Sequence, residues 1–269
     1  MRASSFSISS RSLAAVGALV TALSCRTPRP PVASLSVTPH DLELAYSRAA
    51  TLRLAWRLLG PVETTNGRPT VFVHLYDHPR SVARTFDHPF PEPWTVGSRV
   101  EYEVTLYQSV LGPPLPPGAY WVSVGLYSSD GQRSPVEAEG DEVNAFEYRM
   151  AKVNVPDGRT SPEIVFSNTW SELRAGYDRQ VLGRRLLTTE GTLRVGPTSR
   201  PSRLFLGLYP VGATTPRVES TCGAPTSRWW GFGVDEFELP LSTTESCEIR
   251  VDVEPSGLSL EALAWKAAE

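Results

Sequence analysis

Apolar and polar positions alternate with a period of two through most of this chain, from residue 33 onward. The clearest run is Arg99 to Tyr107. Val100, Tyr102, Val104 and Leu106 share one face there, and charged residues and Thr105 share the other. Residues 51–56 place Leu52, Leu54 and Trp56 together, as a half-buried strand does. In 119–127 the apolar set Tyr120, Val122, Val124 and Leu126 is expected to face a core, leaving Ala119, Trp121, Ser123, Gly125 and Tyr127 on the opposite face. Further strands are expected within 33–46 and near 70–77, 143–154, 191–196, 202–210, 234–240 and 247–254. Residues 258–266 read as a last strand ending at Trp265 rather than as a helical turn. Only 173–187 invites a helix, and Gly176 and Gly183 interrupt it.

Turn chemistry agrees with this reading. Pro116-Pro117-Gly118 cannot continue a central strand, and Asp130-Gly131 is a hairpin dipeptide that tolerates positive φ. The chain of 269 residues suggests two domains. A polar stretch, Val155-Pro156-Asp157-Gly158-Arg159-Thr160-Ser161-Pro162, divides the strand sets. The expected architecture is all-β: two consecutive antiparallel β-sandwich domains of immunoglobulin-like or jelly-roll-like type, at 33–155 and 163–269. Leu206-Gly207-Leu208-Tyr209 echoes Val124-Gly125-Leu126-Tyr127, but two sandwiches share composition, so four residues do not establish a duplication.

The central stretch also carries a resemblance. The order V-F-V-H-L-x-D from Val71, D-x-P from Asp87, W-x-x-G from Trp94, L-P-P-G-x-Y from Leu115, V-G-L-Y from Val124 and R-x-P-V from Arg133 resembles small β-sandwich domains appended to bacterial membrane glycosyltransferases and found in secreted proteins. The resemblance covers residues 45–150. It implies a sandwich used as an accessory module and carries over no catalytic residues. This chain has no multi-spanning membrane portion, so the glycosyltransferase context does not transfer. The second half is more loosely similar to the jelly-roll-like modules that accompany carbohydrate-processing proteins.

Residues 1–24 read as a signal peptide: Arg2 and Arg11 precede an uncharged apolar run, Leu13 to Leu23, too short to span a bilayer. Ala22-Leu23-Ser24-Cys25 resembles a bacterial lipobox, with Ala22 where leucine is usual. The resemblance implies lipid attachment at Cys25, and Arg26 in place of aspartate implies outer-membrane sorting, facing the periplasm or the cell surface. An ordinary secretory signal with an incidental cysteine is the alternative. Residues 25–32 would then form a proline-rich tether. With Cys25 acylated, Cys222 and Cys247 remain, and in an exported chain an even remainder reads as one disulfide. Cys247 begins a stretch whose odd positions are apolar, so the bridge is expected to be buried.

Net charge is −3 with no basic stripe, which argues against nucleic acid as a partner. His74, His78 and His88 with Asp77 and Asp87 are the one group with metal-ligand character. Four strand residues separate His74 from His78 by about 13 Å, too far for one ion, so the expectation is a hydrogen-bonded, half-buried His74 and no metal. No G-x-S-x-G, H-E-x-x-H or glycine-rich phosphate loop occurs, and no cofactor is expected. Glu137, Glu139, Asp141 and Glu142 read as a solvated loop, and the 78–98 connection as the place most able to hold a ligand. Trp94, Trp121, Trp229 and Trp230 are candidates for stacking on sugar rings, the last two in a loop between the cysteines. Buried packing is the commoner use of each. The leading expectation is a non-catalytic, lipid-anchored envelope protein acting as a binding or assembly module, with glycans or an envelope protein as candidate partners. A carbohydrate-active enzyme, or a structural subunit of a secretion or polysaccharide assembly, is the alternative.

Overall fold

A computed structural model describes residues 29–64, 68–77, 81–158, 161–175, 182–211, 215–231, 234–254 and 257–268, with only the backbone at 229–231. The described residues are strands and their connections, with no helix. The strands form four sheets stacked as two pairs.

The first pair uses β1 (Ala33–Thr38), β2 (Asp41–Glu43), β3 (Ala49–Leu58), β4 (Thr70–Tyr76), β5 (Val82–Thr85), β6 (His88–Pro89), β7 (Arg99–Tyr107), β8 (Gly118–Tyr127), β9 (Val136–Ala138), β10 (Asp141–Asn144) and β11 (Glu147–Val155). One sheet has the order β7-β3-β1-β9. The other runs β10-β11-β8-β4-β5, with β2 added on β11 and β6 on β4. Their facing sides supply the core. Leu52, Leu54 and Trp56 of β3 meet Val71, Val73 and Leu75 of β4 and Tyr120, Val122, Val124 and Leu126 of β8, as the alternation required. Two pairings, β1 with β9 and β2 with β11, are parallel, so the sandwich is not purely antiparallel. A bulge between Arg149 and Ala151 resets the phase of β11. Tyr148 and Val153 can therefore both face the core, while Glu147 and Arg149 point outward.

The second pair uses β12 (Ile164–Phe166), β13 (Arg174–Ala175), β14 (Leu182–Leu186), β15 (Glu190–Val195), β16 (Ser202–Pro210), β17 (Arg217–Ser220), β18 (Thr226–Gly231), β19 (Val234–Leu241), β20 (Cys247–Asp252) and β21 (Leu258–Ala267). The orders are β12-β15-β20-β17 and β13-β14-β21-β16-β19-β18. Cys222 and Cys247 form the expected disulfide, with Cα atoms 5.4 Å apart. Cys247 is fully buried beside Ile249 and Val251, as the phase of β20 required.

Three expectations are corrected here. Trp229 and Trp230 lie not in a loop but in strand β18, which pairs with β19, the strand expected at 234–240. The stretch that invited a helix holds β13 and β14, since Leu186 and its neighbours extend the sheet beside β21. The 78–98 connection is not a single long loop, because β5 and β6 within it both hydrogen-bond to β4.

The two sheet pairs are packed against each other. Strand β21 is buried at every residue from Leu258 to Trp265 because both its faces are covered. Leu260, Leu263 and Trp265 enter the second core, whereas Ala262 and Ala264 meet Ala49 and Tyr107 of the first sandwich together with Phe205. The Tyr107 and Phe205 rings lie 5.1 Å apart. Val110 N–H donates to the Leu263 carbonyl at 2.9 Å, and Trp265 N–H to that of Ser47 at 3.0 Å. Arg228 reaches from β18 to the Glu103 carbonyl at 2.9 Å and the Thr105 hydroxyl at 3.2 Å, while pairing with buried Glu236.

Candidate functional site

The two outer faces of the first sandwich hold its polar chemistry, in opposite arrangements. On the seven-stranded sheet, outward residues of β4, β8 and β11 fall into register: His74 opposite Ser123, Phe72 opposite Gly125, Glu147 opposite Gly125. Ser123 and Gly125 are small, and that lets the larger side chains of the flanking strands close over β8. A Cβ added at Gly125 would collide with the Phe72 ring and the Phe146 carbonyl.

Glu147 sits at the centre and is fully buried. Its Oε1 accepts from the Tyr76 hydroxyl at 2.8 Å and from the Ser123 hydroxyl. Its Oε2 accepts from Asn144 Nδ2 at 3.0 Å and pairs with Arg133 Nη1 at 3.0 Å. His74 Nδ1 lies 3.5 Å from Oε1, an electrostatic contact longer than a good hydrogen bond. On its other side His74 Nε2 is 3.3 Å from Asp87 Oδ1, which also accepts from the Val73 N–H. The charges thus alternate along Arg133, Glu147, His74 and Asp87.

Burial would drive the His74 proton off, but the two flanking carboxylates outweigh it and raise the imidazole pKa to about 9. Burial opposes the charge on Glu147 too, yet His74, Ser123, Tyr76 and Asn144 together hold its carboxyl well below the usual range. Burial and the Glu147 carboxylate push Tyr76 up to about 12. Aromatic rings cover the charges. Tyr127 lies 4.6 Å from Phe72, Phe72 is stacked 5.0 Å from His74, and the Arg133 guanidinium sits 5.0 Å over Phe72.

Glu147 presents no exposed surface to solvent. It accepts at both oxygens, whereas the buried His74 Nδ1 is held by charge alone, with no hydrogen-bond partner among the described residues.

The structure places the remaining candidates as follows. His78 lies outside the described residues, and His88 points away from His74. Buried and neutral, His88 lies with Nδ1 2.9 Å from the Phe86 carbonyl and Nε2 2.8 Å from the Tyr102 hydroxyl, and burial lowers its pKa to about 4. No group of three metal-ligating side chains occurs among the described residues. Trp94 is half-buried: its Nε1–H donates to the Gly60 carbonyl at 2.9 Å, and its ring packs edge-on against Phe90. Trp121 is half-buried on the outer face, stacked 6.3 Å from Tyr76, with the Arg149 guanidinium 4.7 Å over the ring. The Trp229 and Trp230 side chains lie outside the described residues.

The four-stranded sheet presents the other arrangement. Its outer face is divided. The end around Ala49, Thr105 and Tyr107 is covered by the second sandwich, and the far end lies open as a groove of about 650 Å3. Ser34, Ser36 and Ala55 form a floor of small residues. Register sets the walls. One row across the sheet reads Glu137, Ser34, Arg57, Arg99, and Ser36, Ala55 and Glu101 line up in the next, with Glu139 just beyond β9. Three strand spacings make the groove about 14 Å wide. Glu137, Glu139, Arg57, Arg99 and Glu101 are all exposed, and Arg53 pairs with Glu101 at 3.2 Å. The acidic run at 137–142 is therefore solvated as expected, but it belongs to β9, β10 and their connection, not to a loop.

Sequence reasoning found neither arrangement, because both depend on strand register. The only local trace was a polar or small residue at outward positions of otherwise apolar strands: His74 in β4, Ser123 in β8, Ser34 and Ser36 in β1.

No protein-family model matches the chain, and no curated protein matches it. Among solved structures, a secreted serine protease, VesC, from Vibrio cholerae is similar over 87% of this chain and 51% of its own, at 11% identity and a TM-score of 0.29. The chain thus spans about half the length of that protein.

Proposed function

We propose that this protein is a non-catalytic binding module of the bacterial cell envelope, tethered by lipid at Cys25, which receives an extended hydroxylated ligand such as a glycan chain in the groove over β1 and β3. The groove itself carries the proposal. It is open, lined by serine hydroxyls and by carboxylate and guanidinium groups at its walls, and its small-residue floor leaves room for a chain to lie against the sheet. Such groups hydrogen-bond hydroxyls from either side. A sugar hydrolase would instead need a carboxylic acid kept protonated by burial beside a second carboxylate. The groove carboxylates are exposed, and the buried Glu147 is held ionised. Burial does raise the Asp235 and Glu236 carboxyls of β19, but they lie outside the groove, and as neighbours on one strand they point to opposite faces.

Anchoring and binding are tested separately. Cys25→Ser should move the protein from the membrane to the soluble fraction and abolish labelled fatty-acid incorporation. A soluble, unlabelled wild type would remove the anchor from the proposal. The purified protein on a glycan array should retain a class of extended polar saccharides. Retention of none would remove the ligand.

A further inference from the structure

Where the two sandwiches meet, a second cavity gathers positive charge that the chain does not balance. It holds about 260 Å3 and is lined by Arg48, Ser161, Pro162, Pro197, Thr198, Ser199, Arg200, Ser202 and Trp265, with no carboxylate in the lining. Arg48 precedes β3 and is held in place: its guanidinium lies 5.0 Å over the Trp265 ring of β21, and a bridge joins the two residues' backbones. Arg200 precedes β16 on a fixed turn, since the Thr198 hydroxyl donates to the Arg200 carbonyl at 2.8 Å and the Ser202 hydroxyl to the same oxygen at 3.0 Å. The Arg200 side chain is left exposed. Among the described residues no carboxylate pairs with either arginine within 4 Å. Burial first, then the charge of Arg200, lowers the Arg48 pKa, against a weaker opposing pull from Glu43.

We propose that this cavity binds a phosphate group, with Arg48 and Arg200 as its two cationic walls. Two planar guanidinium forks present parallel N–H donors to a tetrahedral, doubly charged oxyanion better than to any neutral ligand. The anion would relieve the mutual repulsion of the pair. The cavity falls just below the roughly 300 Å3 at which pockets for larger organic ligands begin, which suits a phosphate carrying few further atoms. The site lies at the Ala49 end of β3, and the groove at the Leu58 end. Seven residues of extended chain from Arg48 to Ala55 put them about 23 Å apart, so the proposal does not rest on the groove reading.

The test titrates inorganic phosphate into the purified full-length chain at constant ionic strength and follows binding by calorimetry. Wild type should bind saturably. Arg200→Gln changes an exposed side chain and should keep the fold while weakening binding at least tenfold. Arg194→Gln, an exposed arginine outside the cavity, should change nothing. Arg48→Gln should weaken binding as much, although loss of its contact with Trp265 could also loosen the junction, so Arg200→Gln decides. Glycerol 1-phosphate and glucose 1-phosphate run in parallel separate a lipid-type from a sugar-type carrier of the same group. No saturable binding by wild type, or equal binding by wild type and Arg200→Gln, overturns the proposal.

Discussion

The two outer faces of the first sandwich differ in a way that separates structural chemistry from chemistry available to a ligand. The face of the seven-stranded sheet carries Arg133, Glu147, His74 and Asp87 in alternation, and its centre is shut. Glu147 is wholly buried and His74 nearly so, with aromatic rings laid across them. The face of the four-stranded sheet has serines, an alanine and surface charges, and it is open over about 650 Å3. Small outward residues serve opposite ends on the two faces. Ser123 and Gly125 let large neighbours close over β8, whereas Ser34, Ser36 and Ala55 are flanked by exposed charged side chains and leave a trough. A cluster of perturbed pKa values is therefore a poor guide to a binding site unless solvent can reach it.

The largest expected effect comes from breaking the closed face. Glu147→Ala would leave Arg133 and His74 facing each other with no carboxylate between them. Removing one partner of a buried charged network costs about 3–5 kcal/mol. The denaturation midpoint should fall accordingly, and the folded fraction should keep its groove ligand. A loss below about 1 kcal/mol would show that the aromatic cover, not the charge network, holds this face.

Much of the fold was legible because its strands alternate cleanly. Residues 99–107 and 202–210 were readable to the residue, and β21 was recognised despite a composition, Leu-Glu-Ala-Leu-Ala, that also suits a helix. Packing against two cores overrides that preference. The disulfide followed from counting cysteines. Strands of two to four residues such as β9 and β17 are too short to show a period, and β18 was hidden by Pro225 and Gly231 at its borders. Neither face was readable, for a different reason. Glu147 meets Tyr76 across 71 positions and Ser123 across 24. Only the register of three strands brings these residues together, and no local pattern encodes it.

A smaller effect separates two histidines that the sequence offered as equivalents. His74 titrates near 9 when folded and near 6.5 when unfolded, so its contribution is complete below pH 6.5 and is lost as pH rises through 9. Its size is on the order of 3–4 kcal/mol, taking each pKa unit as about 1.4 kcal/mol. His88 runs the other way: folded near 4, it favours the folded state above pH 6.5 and weakens it as pH falls toward 4. Wild type minus His74→Gln, measured by urea unfolding from pH 5 to 10, should show a stability difference that shrinks between 6.5 and 9. A difference that is flat across that window would mean His74 is neutral, and that the alternation of charges on the closed face stops at Glu147.

The smallest expected change in stability belongs to the open face, and there the effect on binding should be greatest. Ser36 is half-buried on β1, between Ala55 of β3 and the edge beyond Ala138, at the middle of the groove floor. Ser36→Trp places a large ring on the groove floor. The ring would point away from the core, and tryptophan is well tolerated in strands, so the midpoint should move by no more than about 0.5 kcal/mol. The filled trough should exclude whatever saccharide the wild type retains on an array. Glu139→Gln is the milder companion, leaving the trough open but removing one wall charge, and should weaken retention without abolishing it. The opposite pattern, a Ser36→Trp protein that unfolds easily yet still binds, would mean that this face is structural as well, and would move the search for a ligand away from the first sandwich.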